Sequence, residues 1–271
     1  MISLLSTERV WLMEPSAYLQ LAALVRPADI PAEVPSAVTP GIQIEGGLAT
    51  VSIKGTMMRQ APAILRRVMS TCGVDFCETA ALVKDLRALR EDPSVKAVLL
   101  DIDSPGGTVN GTPELAAAIR GLSREKYVYA YTSGLACSAA YWAAAQCDGI
   151  YAAPSARVGS IGVLMPMIDS SAAYAEAGLR VEVFAAGKYK STGVSGTSLS
   201  DEQRELLQQQ VDDTWAQFKE EVVRRRKGVD AANMEGQTFT GTAARRNGLV
   251  DACCNSLEEL QAKLRTRHCM A

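Results

Sequence analysis

Apolar and polar positions change rhythm several times along the chain, and each change marks an element. Over 16–25 apolar residues recur at helical spacing, which predicts a short amphipathic helix. Pro27, Pro31, Pro35 and Pro40 follow at near-regular intervals, a density that suits neither helix nor ladder and reads as an extended linker. From Gly41 onward, short apolar runs alternate with helical periods. Strands are predicted over 48–53, 95–102 and 127–131, and helices over 78–90, 112–122 and 138–146. Apolar central strands separated by helices imply an α/β fold with a largely parallel sheet and flanking helices. The sites of such sheets lie at the carboxyl ends of the strands. The chain thus divides into an N-terminal arm with a proline-rich linker, 1–40, and a main domain, 41–271.

The longest helical period, 201–227, places Leu207, Val211, Trp215, Phe218 and Val222 on one face, which must pack on something. The cationic run Arg224 to Lys227 ends this helix, where positive charge complements the macrodipole, so it is read as a helix terminus rather than a binding patch.

Composition narrows the partners. The 271 residues are 48% apolar, enough for one sizeable core. A net charge of −2 gives no reason to expect nucleic acid or an anionic membrane as partner. The start lacks the ordered basic, apolar and small-residue regions of a secretory signal. No window reaches the roughly 20 apolar residues of a membrane span. These features read as a cytoplasmic protein. The seven cysteines include no CxxC or Cys/His spacing of a zinc site, so reduced thiols, no metal and no cofactor are expected. Cys137, beside Ser138, is read as a buried structural thiol.

The candidate chemistry starts from the single histidine, His268, three residues from the C-terminus where chains fray. A Ser-His-Asp triad is not expected, so a hydroxyl nucleophile would need a lysine, a carboxylate or an amine as base. Two loops suit oxyanion chemistry. Asp101-Ile102-Asp103-Ser104-Pro105-Gly106-Gly107 follows an apolar strand, and its paired glycines let backbone N–H groups approach a ligand. Ser133-Gly134-Leu135-Ala136-Cys137-Ser138-Ala139-Ala140-Tyr141 ends a strand and opens a helix. Ser138 there is either a plain N-cap or a nucleophile beside free N–H groups. Gly159-Ser160-Ile161-Gly162 flanks a hydroxyl with glycines. Ala185-Ala186-Gly187-Lys188-Tyr189-Lys190-Ser191-Thr192-Gly193 sets two lysines in a glycine-bounded loop, and spacing alone does not choose between them.

Together these elements resemble the signal-peptide-peptidase-like serine proteases of the Clp/crotonase-like fold, over about Gly46 to Asp251. Ser-Pro-Gly-Gly, Ser-x-x-Tyr, Gly-Ser-Ile-Gly and Gly-x-x-Lys occur in the family's order, followed by Phe239-Thr240-Gly241 and Gly248-Leu249-Val250-Asp251. The resemblance implies a serine endopeptidase with a Ser-Lys dyad. Ser138 would be the nucleophile, Lys190 the base, Ser160 a partner of the lysine amine, and the N–H groups of Gly107 and Ala139 the oxyanion hole. Gly106, Thr108, Val109, Ile161 and Gly162 would line an extended substrate strand. Cellular members usually have Ser-Gly-Gly where this chain has Ser138-Ala139-Ala140, which alters the room beside the nucleophile.

Within the family the chain looks most like phage head-assembly proteases. The resemblance then implies scaffold or capsid proteins as substrates, a homo-oligomeric ring, no membrane and no nucleic acid. A cellular peptidase clearing signal peptides, an acyl-CoA enzyme sharing the fold, and a non-catalytic ring component are the alternatives. A lysine base working near neutral pH must titrate well below its solvated value of about 10.4, which requires burial. Tyr189, Val163 and Leu164 are the expected walls.

Overall fold

A computed structural model describes residues 11–13, 41–71 and 73–269. The expected helix over 16–25 and the proline linker lie outside them. In chain order the elements are β1 (Trp11–Met13), β2 (Ile42–Glu45), β3 (Leu48–Lys54), β4 (Thr56–Met58), α1 (Ala63–Thr71), β5 (Phe76–Glu78), α2 (Thr79–Glu91), β6 (Ala97–Asp103), β7 (Gly106–Thr108), α3 (Thr112–Leu122), β8 (Tyr127–Thr132), β9 (Leu135–Cys137), α4 (Ala139–Ala144), β10 (Gly149–Ala152), β11 (Arg157–Gly159), α5 (Ser171–Glu176), α6 (Asp201–Arg225), β12 (Thr238–Thr240), α7 (Gly241–Arg246), β13 (Ala252–Cys253) and α8 (Leu257–His268).

The central sheet runs β13-β10-β8-β6-β3-β2, parallel except for the edge strand β2. Its middle strands are apolar on both faces because helices cover both. Val98, Leu100, Val128 and Ala130 face a core completed by α2 and α3, while Leu99 and Tyr131 face Leu260 and Leu264 of α8. Two small sheets, β1-β7-β4-β5 and β9-β11-β12, stand at the carboxyl ends of β6 and β8. They border the Gly106-Gly107, Ser138, Gly159-Ser160 and Phe239-Thr240 motifs, whereas the Lys190 loop lies outside both.

α4 is buried on every side, as a helix without a polar face must be. Trp142 stacks on Phe218 of α6 with ring centroids 4.6 Å apart. Its indole N–H donates to Glu221, which also pairs with Arg120 at 2.9 Å. This contact holds only the carboxyl half of α6. Phe218 and Val222 are buried, but Leu207, Val211 and Trp215 are only partly covered, so the stripe predicted from the sequence is half used. The cationic run that ends the helix is tied internally, with Arg224 on Glu220, Arg225 on Asp148 and Arg226 on Asp251.

Candidate active site

β6 delivers the Ser104-Pro105-Gly106-Gly107 turn and β8 delivers the Ser138 turn, and the two are laced together. Ser104 N–H donates to the Leu135 carbonyl at 2.8 Å, and Cys137 N–H donates to the Ser104 carbonyl at 3.2 Å. The Ser104 hydroxyl donates to the Gly55 carbonyl at 2.6 Å and accepts from Gly106 N–H at 3.2 Å. Gly107 is glycine for a packing reason, since a Cβ there would lie 1.7 Å from the Met57 carbonyl oxygen.

Ser138 sits at the turn between β9 and α4 with φ 55° and ψ −119°. That region is costly for a residue with a Cβ, of order 1–3 kcal/mol. The surrounding bonds impose it, with Ser138 N–H donating to the Gly159 carbonyl at 2.8 Å and the Ser138 carbonyl accepting from Trp142 N–H at 2.9 Å. The side chain makes no capping bond. Its Oγ is buried and has no hydrogen-bond partner. A buried hydroxyl without a partner costs about 1–3 kcal/mol. The N-cap alternative is therefore not what the geometry contains.

Ser160 also has a positive φ, 52°, and is buried, with its N–H bound to the Gln237 carbonyl at 2.6 Å. It lines a cleft of about 370 Å³ together with Gly162, Val163, Leu164, Val211 and Trp215. Ile161 contributes no side chain to this cleft. It is fully buried in the core, and its carbonyl accepts from Trp215 Nε1 at 3.3 Å and from Gly236 N–H at 3.0 Å. The edge of β7 over Gly106 to Thr108, where a substrate strand is expected, pairs antiparallel with β1.

Lys190 departs from expectation. Its residue is exposed, and its recorded backbone bond runs from its own N–H to the Gly187 carbonyl at 3.1 Å. Lys188 is exposed as well, 3.7 Å from Glu202. The walls expected to bury Lys190 do not do so, since Tyr189 is itself 42% exposed and Val163 and Leu164 turn to the cleft. The physical reason is the whole segment. Among the described residues none from 162 to 200 is buried, and its apolar side chains, Phe184 at 95% and Ile168 at 65% exposure, find no core to enter. Ser138 and Lys190 are not hydrogen-bonded to each other.

His268 packs on Tyr127 and lies 2.9 Å from the Tyr129 hydroxyl, at the amino end of β8 and away from the Ser138 turn. Cys137 is buried with its thiol toward the Arg157 carbonyl at 3.5 Å. Burial pushes the Cys77 thiol up to about 12 and drives Cys147 upward too, so both stay protonated and inert. Among the described residues no group of His, Cys, Asp or Glu could hold a metal ion, and no helix is long and apolar enough to cross a membrane.

The remaining motif residues are scaffold. The Tyr141 hydroxyl donates to the Leu249 carbonyl at 2.8 Å. Asp251 accepts from Ile150 N–H at 2.7 Å and pairs with Arg226 at 2.6 Å. Thr240 caps α7 through the N–H of Ala243. A Cβ on Gly241 would lie 2.0 Å from the Ala153 carbonyl oxygen. The first of these bonds ties α4, and with it the Ser138 turn, to the segment that leads into β13.

The fold, a mostly parallel sheet with flanking helices, is shared with solved structures of the crotonase type. One, an enoyl-CoA hydratase/isomerase family member, superposes with a TM-score of 0.50 at 19% identity, over 84% of this chain and 75% of that one. The sequence narrows the class, because residues 120–268 match the model of peptidase family S49, and the chain belongs to that family. Relatives include the head-tail preconnector protein GP5 of Enterobacteria phage P21, 30% identical over 80% of this chain and 43% of that protein. Capsid assembly protease C of Escherichia phage lambda is 28% identical over 80% of this chain and 49% of that protein. The chain spans about half the length of these curated relatives.

Proposed function

We propose that the protein is a serine endopeptidase in which Ser138 Oγ attacks a peptide carbonyl. The observation that carries this reading is the buried, unpartnered Ser138 hydroxyl on a strained turn laced to the Gly106-Gly107 loop. A protein keeps such strain where geometry serves chemistry. The N–H groups of Gly107 and Ala139 would hold the oxyanion, Lys190 would take the Ser138 proton and pass it to the leaving amine, and Ser160 would orient the lysine amine. Water then repeats the steps on the acyl-enzyme.

Lys190 needs a dry surrounding that one copy of the chain does not supply. The exposed apolar residues of the same segment support a ring in which a neighbouring copy covers it. Two phage relatives bear the names of head-assembly proteins, which favours scaffold or capsid proteins as substrates, cut in the host cytoplasm or within an assembling prohead. Co-expression with the head proteins of the same genome tests this. Cleavage is expected with the unmodified chain and with Lys188→Ala, and not with Ser138→Ala or Lys190→Ala; processing that survives Ser138→Ala overturns the reading.

A further inference from the structure

The chain already holds an extended segment on the strand edge proposed for substrate backbone. β7 has two edges. One is closed by β4, in parallel register through Met57 and Gly107. Along the other runs β1, antiparallel, with Trp11 opposite Thr108, Leu12 opposite Gly107 and Met13 opposite Gly106. The β7 strand follows directly from the Ser104 turn that is bonded to Leu135 and Cys137, and α4 packs against it. Whatever pairs with the outer edge of β7 therefore lies beside the Ser138 turn. An edge strand accepts one partner at a time, because each of its outward N–H and C=O groups is used by the first strand that arrives.

We infer that the N-terminal arm is a built-in competitor of substrate, holding β1 in the strand position that a substrate must take. This rests on the reading of Ser138 as nucleophile. β1 pairs over only three residues, so by itself it is a weak ligand. Residues 14–40 join it covalently to the same chain, however, and covalent linkage makes the pairing intramolecular, with an effective concentration of order millimolar. A dilute protein chain would then lose the competition for the edge. A substrate concentrated on the same assembly would win it. The device confines cutting to crowded substrate without any further factor.

The test uses the full chain and the double variant Trp11→Pro/Leu12→Pro. In a strand alternate N–H groups face the partner, so one of these two prolines removes a pairing donor whichever phase the ladder has. Expected results are faster amide hydrogen exchange at 106–108 and a fall in KM for an extended peptide reporter of about tenfold, with kcat little changed. That factor corresponds to an edge occupied nine-tenths of the time. A synthetic peptide of residues 8–16 should inhibit the double variant competitively and restore protection at 106–108. Unchanged exchange and unchanged KM overturn the inference.

A second chain, with a site-specific protease sequence inserted between Glu33 and Val34, severs the arm after folding and guards against a misfolded double variant. It should gain the same exchange and the same KM upon cutting and dilution. If neither chain cleaves peptide nor reacts with a fluorophosphonate at Ser138, the proposed function has failed. Exchange and peptide protection at 106–108 then still decide whether β1 competes for the edge.

Discussion

The Ser138 turn and the Lys190 loop are built from similar stretches of small and polar residues, Ser133-Gly134-Leu135-Ala136-Cys137-Ser138-Ala139-Ala140 and Ala185-Ala186-Gly187-Lys188-Tyr189-Lys190-Ser191-Thr192, yet they end in opposite environments. The first is clamped between β9 and α4, with backbone bonds to Ser104 and Gly159. The second lies in a segment with no buried residue from 162 to 200. Local composition did not decide the outcome. What decided it is that the first stretch is followed by Tyr141 and Trp142, which enter the core, and the second by residues that do not. On the proposed reading, the chain supplies the preorganised half of a site and leaves the other half to a neighbouring copy over the exposed segment.

The strongest way to break that comparison is to remove the chemistry from the clamped half alone. Ser138→Ala deletes an oxygen that has no partner, so nothing is left unpaired and the fold should be kept. Peptide cleavage is expected to fall by at least about 10³-fold, as for removal of a nucleophile that acts with its base as a unit. Steady-state kinetics alongside circular dichroism checks both parts, and a modest activity loss would place the nucleophile elsewhere. Lys190→Ala should cost about 10² to 10⁴-fold, the range for a general base. Its unfolding midpoint should not move by more than a surface substitution does, about 0.5 kcal/mol. A large loss of stability in Lys190→Ala would show that the lysine is already packed in the single chain.

Much of the clamped half could be read from sequence, and the reasons differ by element. The helix at Thr112–Leu122 has the predicted bounds because Pro113 sits in its first turn and its apolar period is clean. The start of α6 matches as well, where Ser200 and Gln203 form a capping box. Ser256 with Glu259 offered the same pattern for α8, a helix the periodicity did not single out. β7, β9, β11 and β12 are three residues each, too short for an alternating pattern to register. The pairing of β1 with β7 joins residues almost a hundred positions apart, which no local signal encodes. The exposure of Lys190 went unread for a related cause. Burial is a property of what packs around a residue, and here Val163 and Leu164 pack on the body of the protein while Tyr189 stays exposed, so none of the three closes over Lys190.

α6 carries the same contrast within one helix, and this gives a stability test. Glu221 accepts from Arg120 and from Trp142 Nε1, at 2.9 and 3.0 Å, and is buried. Glu221→Ala leaves Trp142 Nε1 without its acceptor and Arg120 with only the Gln146 amide oxygen, at 2.8 Å, for its charge, and breaking a buried pair in this way costs about 3 kcal/mol. Val211→Ala, about three turns nearer the amino end and on the apolar stripe, removes a side chain that is only partly covered. It should cost well under half as much in urea unfolding of the monomer. Equal costs would mean that the amino half of α6 is as firmly docked as the carboxyl half.

The smallest expected effect is the most diagnostic of how the clamped half was built. At φ 55° and ψ −119° a glycine is at ease where serine is strained. Ser138→Gly should relieve a cost of order 1–3 kcal/mol. Against this stands the extra backbone freedom that glycine must give up on folding, about 0.5–1 kcal/mol. Relative to Ser138→Ala, which also lacks the hydroxyl, the net change should be a gain of about 1 kcal/mol, or roughly 2–4 °C in melting temperature for a domain of this size. The serine makes no capping bond, so no other term opposes the gain. Ser138→Ala relieves the unpartnered hydroxyl as glycine does but keeps the Cβ, so it should lack this part of the rise. The difference between the two variants therefore isolates backbone strain from loss of the hydroxyl. If glycine melts at or below alanine, the turn stores no strain, and the buried hydroxyl alone must account for the placement of Ser138.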